Sequence, residues 1–297
     1  IQPLVDLLKD DEMRTRRKAA GALTSLAIGN VVNQDAIAHA KGVAPLVALL
    51  GSEFPSEVQL YAAGCLAELA RKHPKNQAAI AKAGSIVPLV KLLQVDAPDP
   101  QPAKEEAAGA LWTLSASNYN NQVAVADAGG IAPLVALLDS SSPRAQEKAA
   151  GALTAVALDN VTNKTFIATM LVKLLTPDNR AQSAKAARAI SRIAIAHPSN
   201  QEALASAGAI GILVGLLRDT AGLPPLKQKG EIALMQKETA SALWSLAAEN
   251  PENQASIAEA GGIPLLVALL HGSPEVHGDA AGALWSLAAA IHNQKLI

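Results

Sequence analysis

Aromatic residues are scarce: three Trp, two Tyr and two Phe among 297 residues. That excludes a core built on stacked rings and leaves few platforms on which nucleic-acid bases could stack. A single cysteine, Cys65, excludes a disulfide framework and suits a reducing compartment, cytoplasmic or nuclear. The formal net charge of -1 supplies no global field to draw the chain to nucleic acid or an anionic membrane. No apolar run reaches the roughly 18–20 residues that cross a bilayer, so no membrane insertion is expected. No signal-peptide pattern opens the chain, and it begins at Ile1 rather than Met, which reads as a fragment from which a targeting segment could be missing.

What the chain does have is Ala, Leu, Val and Ile, with half of all residues hydrophobic, the palette of close-packed helices. A Leu-Val step followed by Leu-Leu recurs at Leu4, Leu46, Leu89, Leu134, Leu171, Leu213 and Leu266. The period is about 42 residues, which marks a helical solenoid of stacked repeats. Each repeat predicts three helices. Asn announces the first, at Asn33, Asn76, Asn121, Asn163, Asn200, Asn253 and Asn293, and is read as its N-cap. Gly42, Gly84, Gly129, Gly208 and Gly261 stop it in the left-handed conformation. Pro45, Pro88 and Pro133 sit in the first turn of the second helix, which carries the Leu-Val stripe. The third helix is longest; Ala107, Ala108, Leu111 and Leu114 share one of its faces. No single repeat buries enough apolar surface, so stacking must supply the stability.

The Asn-Gln-x-x-Ile-Ala-x-Ala-Gly-Gly-Ile element at Asn253–Ile263, the Leu-Val-x-Leu-Leu helix and the Ala-Leu-Trp-x-Leu helix at Trp285 together resemble armadillo repeats. The resemblance covers the whole chain, in a flavour similar to plant, algal and fungal members. It implies an all-α, right-handed superhelical solenoid of about seven three-helix units. HEAT repeats, which lack the short first helix, are the second choice. Residues 1–297 read as one array, partial at both ends. The chain starts inside a second helix and stops inside a first helix, with no polar capping face, so a longer native protein is expected.

Two places break the period. Asn163 and Leu171 are closer than Asn200 and Leu213, and the Gly elbow after Ala168 is missing. Either this is a real deletion, or residues are lost there; the second is preferred because the first two helices need a glycine to turn. Conversely, residues 219–236 read as an inserted loop, a place where function or simple tolerance both occur.

The family's peptide groove is lined by third helices, where a Trp packs against ligand side chains and an Asn one turn later holds the ligand backbone. The Trp positions here are Thr24, Ala67, Trp112, Thr154, Ser191, Trp244 and Trp285. The Asn positions are Ile28, Arg71, Ala116, Leu158, Ile195, Ala248 and Ala289, so no Asn is kept. The resemblance therefore implies a non-enzymatic protein–protein interaction scaffold with a smooth groove for a peptide, helix or protein segment. Candidate protein-binding residues are Trp112, Trp244, Trp285, Arg71, Arg188 and Ser241; the alternative for each Trp is packing against the next repeat, and for each Arg a solvated charge. Other readings are an importin-α-like nuclear import adaptor, which the missing Asn series weakens, the substrate-binding part of a larger ubiquitin ligase, and a structural subunit of a large assembly.

The remaining signals have plainer readings. Arg14, Arg16, Arg17 and Lys18 form a basic run that reads as a solvated helix face. Glu105 and Glu106 near a helix start complement its dipole. His271 and His277 lack the spacing of metal ligands. No catalytic constellation or phosphate-cradling glycine motif is present, and no cofactor is expected.

Overall fold

The first helix of each repeat is held by two successive devices. In a computed structural model that describes residues 1–96, 101–221 and 230–297, the N-caps are Asn30, His73, Asn118 and Asn250, whose side chains each accept the amide of the residue three positions on. The Asn expected as N-cap is thus the third residue of the helix. Its own side chain does different work. Nδ2 of Asn76, Asn121, Asn163, Asn200 and Asn253 donates to the carbonyl seven residues back, in the last turn of the preceding third helix, at 2.8–3.1 Å. Carbonyls there have no partner within their helix, so a buried amide supplies one.

Among the described residues every regular element is helical. Two compact units, Ile1–Asn163 and Lys164–Ile297, occupy the span that the sequence reading treats as one array. In the first unit α1 (Gln2–Asp6) is a second helix and α2 (Met13–Ala27) a third helix. Complete triples follow: α3 (Val31–His39), α4 (Val43–Ala48), α5 (Ser56–Ala70); α6 (Pro74–Lys82), α7 (Ile86–Gln94), α8 (Pro102–Ser115); α9 (Tyr119–Asp127), α10 (Ile131–Leu137), α11 (Pro143–Ala157). The third helices pack in chain order, α2 on α5, α5 on α8, α8 on α11. Leu23, Leu66, Leu111, Leu114 and Leu153 are fully buried between them, each contributing about 1.5–3 kcal/mol.

Next comes α12 (Val161–Lys173), a single helix where the other repeats have two. Where the elbow glycine is missing, the helix does not turn. In the second unit α13 (Arg180–Ala194) packs on α16 (Glu231–Ala247), and α16 on α19 (Pro274–Leu287). The short helices α14 (Pro198–Ser206), α15 (Ala209–Arg218), α17 (Pro251–Glu259) and α18 (Gly262–Leu269) complete it. Residues 222–229 of the expected inserted loop lie outside the described residues, and its last six, 231–236, belong to α16 rather than to a loop. Its described edges are tied by Gln236, which donates to Thr220 Oγ1 at 3.1 Å. No single helix among the described residues is long and apolar enough to cross a membrane.

One elbow departs from expectation. Lys41, not Gly42, takes the left-handed conformation, at φ 61°. Gly42 is needed for a different reason: a Cβ there would stand 2.9 Å from Ile37 Cγ2 and 3.0 Å from the Ile37 carbonyl oxygen.

The turn from third to first helix also runs through a left-handed residue. Gly29 fills it once; Lys72, Ser117, Asp159, Ala196 and Glu249 fill it elsewhere, at φ 53–56°. Left-handed backbone costs a residue with a Cβ about 1–2 kcal/mol, and the added freedom of an unfolded glycine offsets about 0.5–1 kcal/mol of the relief. Ala196 is exposed and loses no packing on truncation. Ala196→Gly is therefore expected to stabilise the protein by about 0.5–1 kcal/mol, raising Tm by a few degrees. A thermal melt in which Tm stays put or falls would refute this account of the turn.

Candidate functional site

The free face of the third-helix stack carries the side chains that packing does not consume. In the first unit it is laced by ion pairs between neighbouring helices. Arg17 of α2 meets Glu57 of α5. Arg144 of α11 meets Glu105 at 2.9 Å and Glu106 at 3.2 Å of α8, and Lys148 meets Glu106 at 2.7 Å. Glu105 does lie in the first turn of α8, but both carboxylates also bridge to the next repeat, a role their sequence position does not reveal. The basic run is likewise less solvated than expected, since Arg17 is paired and the Arg16 guanidinium lies 5.3 Å from the Phe54 ring centroid. Between α2, α5 and α8 these pairs border a cleft of about 370 Å³ lined by Thr24, Tyr61, Glu68, Glu106 and Arg144.

Arg71, a candidate contact residue, caps the end of α5 and grips Glu68 one turn earlier, with Nη2 2.8 Å from Oε1. That hydrogen bond raises its pKa further above the ordinary arginine value. Arg188 of α13 likewise meets Glu238 of α16 at 2.9 Å. Both arginines thus have carboxylate partners within the chain, where the plain expectation was a solvated charge.

The three indoles differ in what covers them. Trp112 lies over Gly151 of the next third helix, where a Cβ would come within 2.5 Å of its ring. Trp244 lies over Gly282 in the same way, at 2.7 Å. The glycine one turn before each Trp position is thus the seat for the preceding repeat's indole. Trp244 still exposes 36 % of its surface, and Trp285 exposes 77 %. Packing against the next repeat therefore accounts for much of Trp112 and for one face of Trp244; Trp285 is on α19, after which the sequence holds no further third helix.

Beside Trp244 is a hydroxyl network that sequence reasoning found only through Ser241. Ser191 Oγ lies 2.8 Å from Ser245 Oγ and 3.2 Å from Ser241 Oγ. Ser241 in turn hydrogen-bonds Asp279 of α19. Burial raises the Asp279 carboxyl above its ordinary value, opposed by the Ser241 bond and by Lys237. The sequence signal for this cluster was available: Ser241 stands where most repeats keep Gly, and Asp279 is one turn before Gly282, the position of Glu106 and Lys148 in other repeats. Elsewhere in the second unit His271 and His277 face backbone carbonyls, each at 3.3 Å.

An armadillo/beta-catenin-like repeat model matches residues 118–154 and 250–289. Among solved structures, an engineered protein from a structural genomics consortium is 35% identical, at a TM-score of 0.59, covering 97% of this chain and 68% of that one. A second engineered protein from the same consortium is 30% identical, at a TM-score of 0.53, over 97% and 96%. A designed armadillo repeat protein in complex with the peptide (KR)4 is 24% identical, at a TM-score of 0.52, over 96% and 98%. Among curated protein sequences, none matches the chain.

Proposed function

Since the chain belongs to the armadillo-repeat family, we propose that it is a non-catalytic scaffold that holds a segment of another protein on the free face of its third helices, in the cytoplasm or nucleus. The observation that carries this reading is Trp244 in the second unit, which keeps 36 % of its surface exposed although Gly282 of the next third helix seats one of its faces; Trp285 is the equivalent residue of α19. A large exposed ring costs solvation unless something covers it, and Trp is a frequent hot-spot residue. Ser241 supplies hydroxyl groups next to these rings, Trp112 adds a half-buried ring in the first unit, and Arg71 and Arg188 supply cations that a ligand carboxylate would share with Glu68 and Glu238. The peptide-bound designed relative lends support to a ligand of this kind. A nuclear-import adaptor has less support, because the positions where the family keeps Asn here carry Ile28, Arg71, Ala116, Leu158, Ile195, Ala248 and Ala289.

The test is a pull-down from the source cells with the wild-type chain and with Trp244→Ala, Trp285→Ala. We expect the double variant to lose the bound protein while still melting as a folded chain, at a lower Tm because Trp244 leaves its seat on Gly282 empty; truncating a hot spot of this type costs about 2 kcal/mol or more of binding. Undiminished capture would move the interface off this face and leave the indoles without a binding role.

A further inference from the structure

In the first unit a cleft of about 480 Å³ opens where the first two second helices meet α2, lined by none of the residues of the cleft between α2, α5 and α8. Its walls are apolar: Leu8, Pro45, Leu49 and Phe54. Its rim is cationic, made of Lys9, Arg16 and Lys41. The Arg16 guanidinium is fixed over the Phe54 ring and donates from Nε to the Asp10 carbonyl. No carboxylate lines the cleft, and among the described residues neither Lys9 nor Lys41 has an ion-pair partner.

The same place recurs further along the unit and gives an internal reference. There a cleft of about 370 Å³ is formed by Leu93, Pro133 and Leu137, with Lys104 at the position of Arg16. Because that one lies between interior repeats, the architecture does not depend on the start of the chain. Its chemistry differs in each of the features above. By register, Gln94 replaces Lys9, Gly129 replaces Lys41, Ser142 replaces Phe54, and Asp139 stands where the first cleft has Gly51. The interior cleft therefore sets Asp139 against its one cation, whereas the first is lined by three cations and an aromatic wall, with the Glu53 carboxylate folded against Gly51 at its edge.

We propose that this first cleft docks an acidic–apolar peptide segment of a partner protein: one large apolar side chain set against Ala44, Pro45, Ala48 and Phe54, over the buried Leu8 and Leu49, with Asp or Glu on both sides of it meeting Lys9, Arg16 and Lys41. Exposed ion pairs alone contribute little, so charge sets orientation and salt dependence while the apolar side chain supplies most of the affinity. The site is separate from the indole face and stands or falls independently of it.

The test is fluorescence anisotropy on the full chain with a labelled peptide Asp-Asp-Leu-Phe-Asp-Asp. Its controls are Asp-Asp-Ala-Ala-Asp-Asp, Lys-Lys-Leu-Phe-Lys-Lys and dodecanoate as a competitor. The variant Lys9→Gln, Lys41→Gly, Phe54→Ser carries the residues of the interior cleft, and Lys41→Gly suits the left-handed backbone there, so its fold is expected to persist and is checked by its melt. The wild type should bind the acidic–apolar peptide at least tenfold tighter than either control peptide. It should lose tenfold or more in the triple variant and weaken with added salt. Trp244→Ala, Trp285→Ala should change nothing. Equal binding by the triple variant, a preference for the basic peptide, or displacement by dodecanoate at lower concentration than by unlabelled peptide would each overturn the proposal, the last in favour of a lipid-like anion.

Discussion

Replacing Asn121 by alanine should cost about 2–4 kcal/mol, more than most polar substitutions, because the loss leaves the buried Leu114 carbonyl unpaired on top of the lost bonds. Asn121 is 4 % exposed, and its Nδ2 donates to Leu114 O at 2.8 Å and to Gln77 O at 3.4 Å. The first acceptor is in the last turn of α8; the second is in the first helix of the preceding repeat. Gln77 extends the same tie forward, donating to Thr113 O at 2.9 Å and Ala116 O at 3.2 Å. Asn33 provides the control. It makes the corresponding bond to Leu26 O at 2.8 Å, but in an exposed setting where water can replace it. Urea unfolding should therefore show a large drop in midpoint for Asn121→Ala and a shift under about 1 kcal/mol for Asn33→Ala. Equal losses at the two positions would mean that burial of the carbonyl is not what makes the bond matter.

The second large effect concerns Cys65. The thiol is fully buried in α5, and burial pushes its pKa from 9.0 up to about 12, with Glu68 adding to the rise and a hydrogen bond with Thr24 opposing it. Thiolate, the reactive form, is then rarer by roughly 1,000-fold near pH 8 than in an unfolded chain. Labelling with a disulfide reagent at that pH should be at least as strongly suppressed in the native protein and return in full on unfolding. Rapid labelling of the native chain, within a factor of ten of the unfolded rate, would contradict the buried placement. The linkage has a definite sign. The folded state holds its proton between 9.0 and about 12 while the unfolded state releases it, so this group lowers stability as pH rises through that window and contributes no such loss below it.

Much of the fold was legible because its signals are local and repeated. Periodic Leu and Ala set the helix faces, and the repeat spacing set the triples. The assignments that went astray were those that needed a neighbour. Asn121 looked like an N-cap because Asn is good at that task, but the cap is Asn118 and Asn121 serves the helix before it. Gly42 looked like the left-handed residue, but Lys41 bears the strain so that the Gly42 backbone can approach Ile37. Two helices with a turn were expected near Ala168, and α12 runs straight through. At the candidate site the indoles were found by their spacing. How they pack was not, since it depends on the glycine of the following third helix, Gly151 for Trp112 and Gly282 for Trp244. Glu238 and Asp279 went unnoticed because their partners, Arg188 and Ser241, lie on other helices.

The backward reach of the Asn side chains also decides where the chain can be divided. A third helix is finished only by the first helix that comes after it, so the cooperative module is not the triple seen in the sequence but a frame shifted along it, opening at a second helix and closing at the next elbow. Cuts, grafts or transplanted repeats made at Gly84 or Gly129 keep each third-helix carbonyl with the Asn amide seven residues after it. The same operations made at Lys72 or Ser117, where the written repeat begins, separate them. Such a module has a head and a tail, and it joins its neighbours in one direction only.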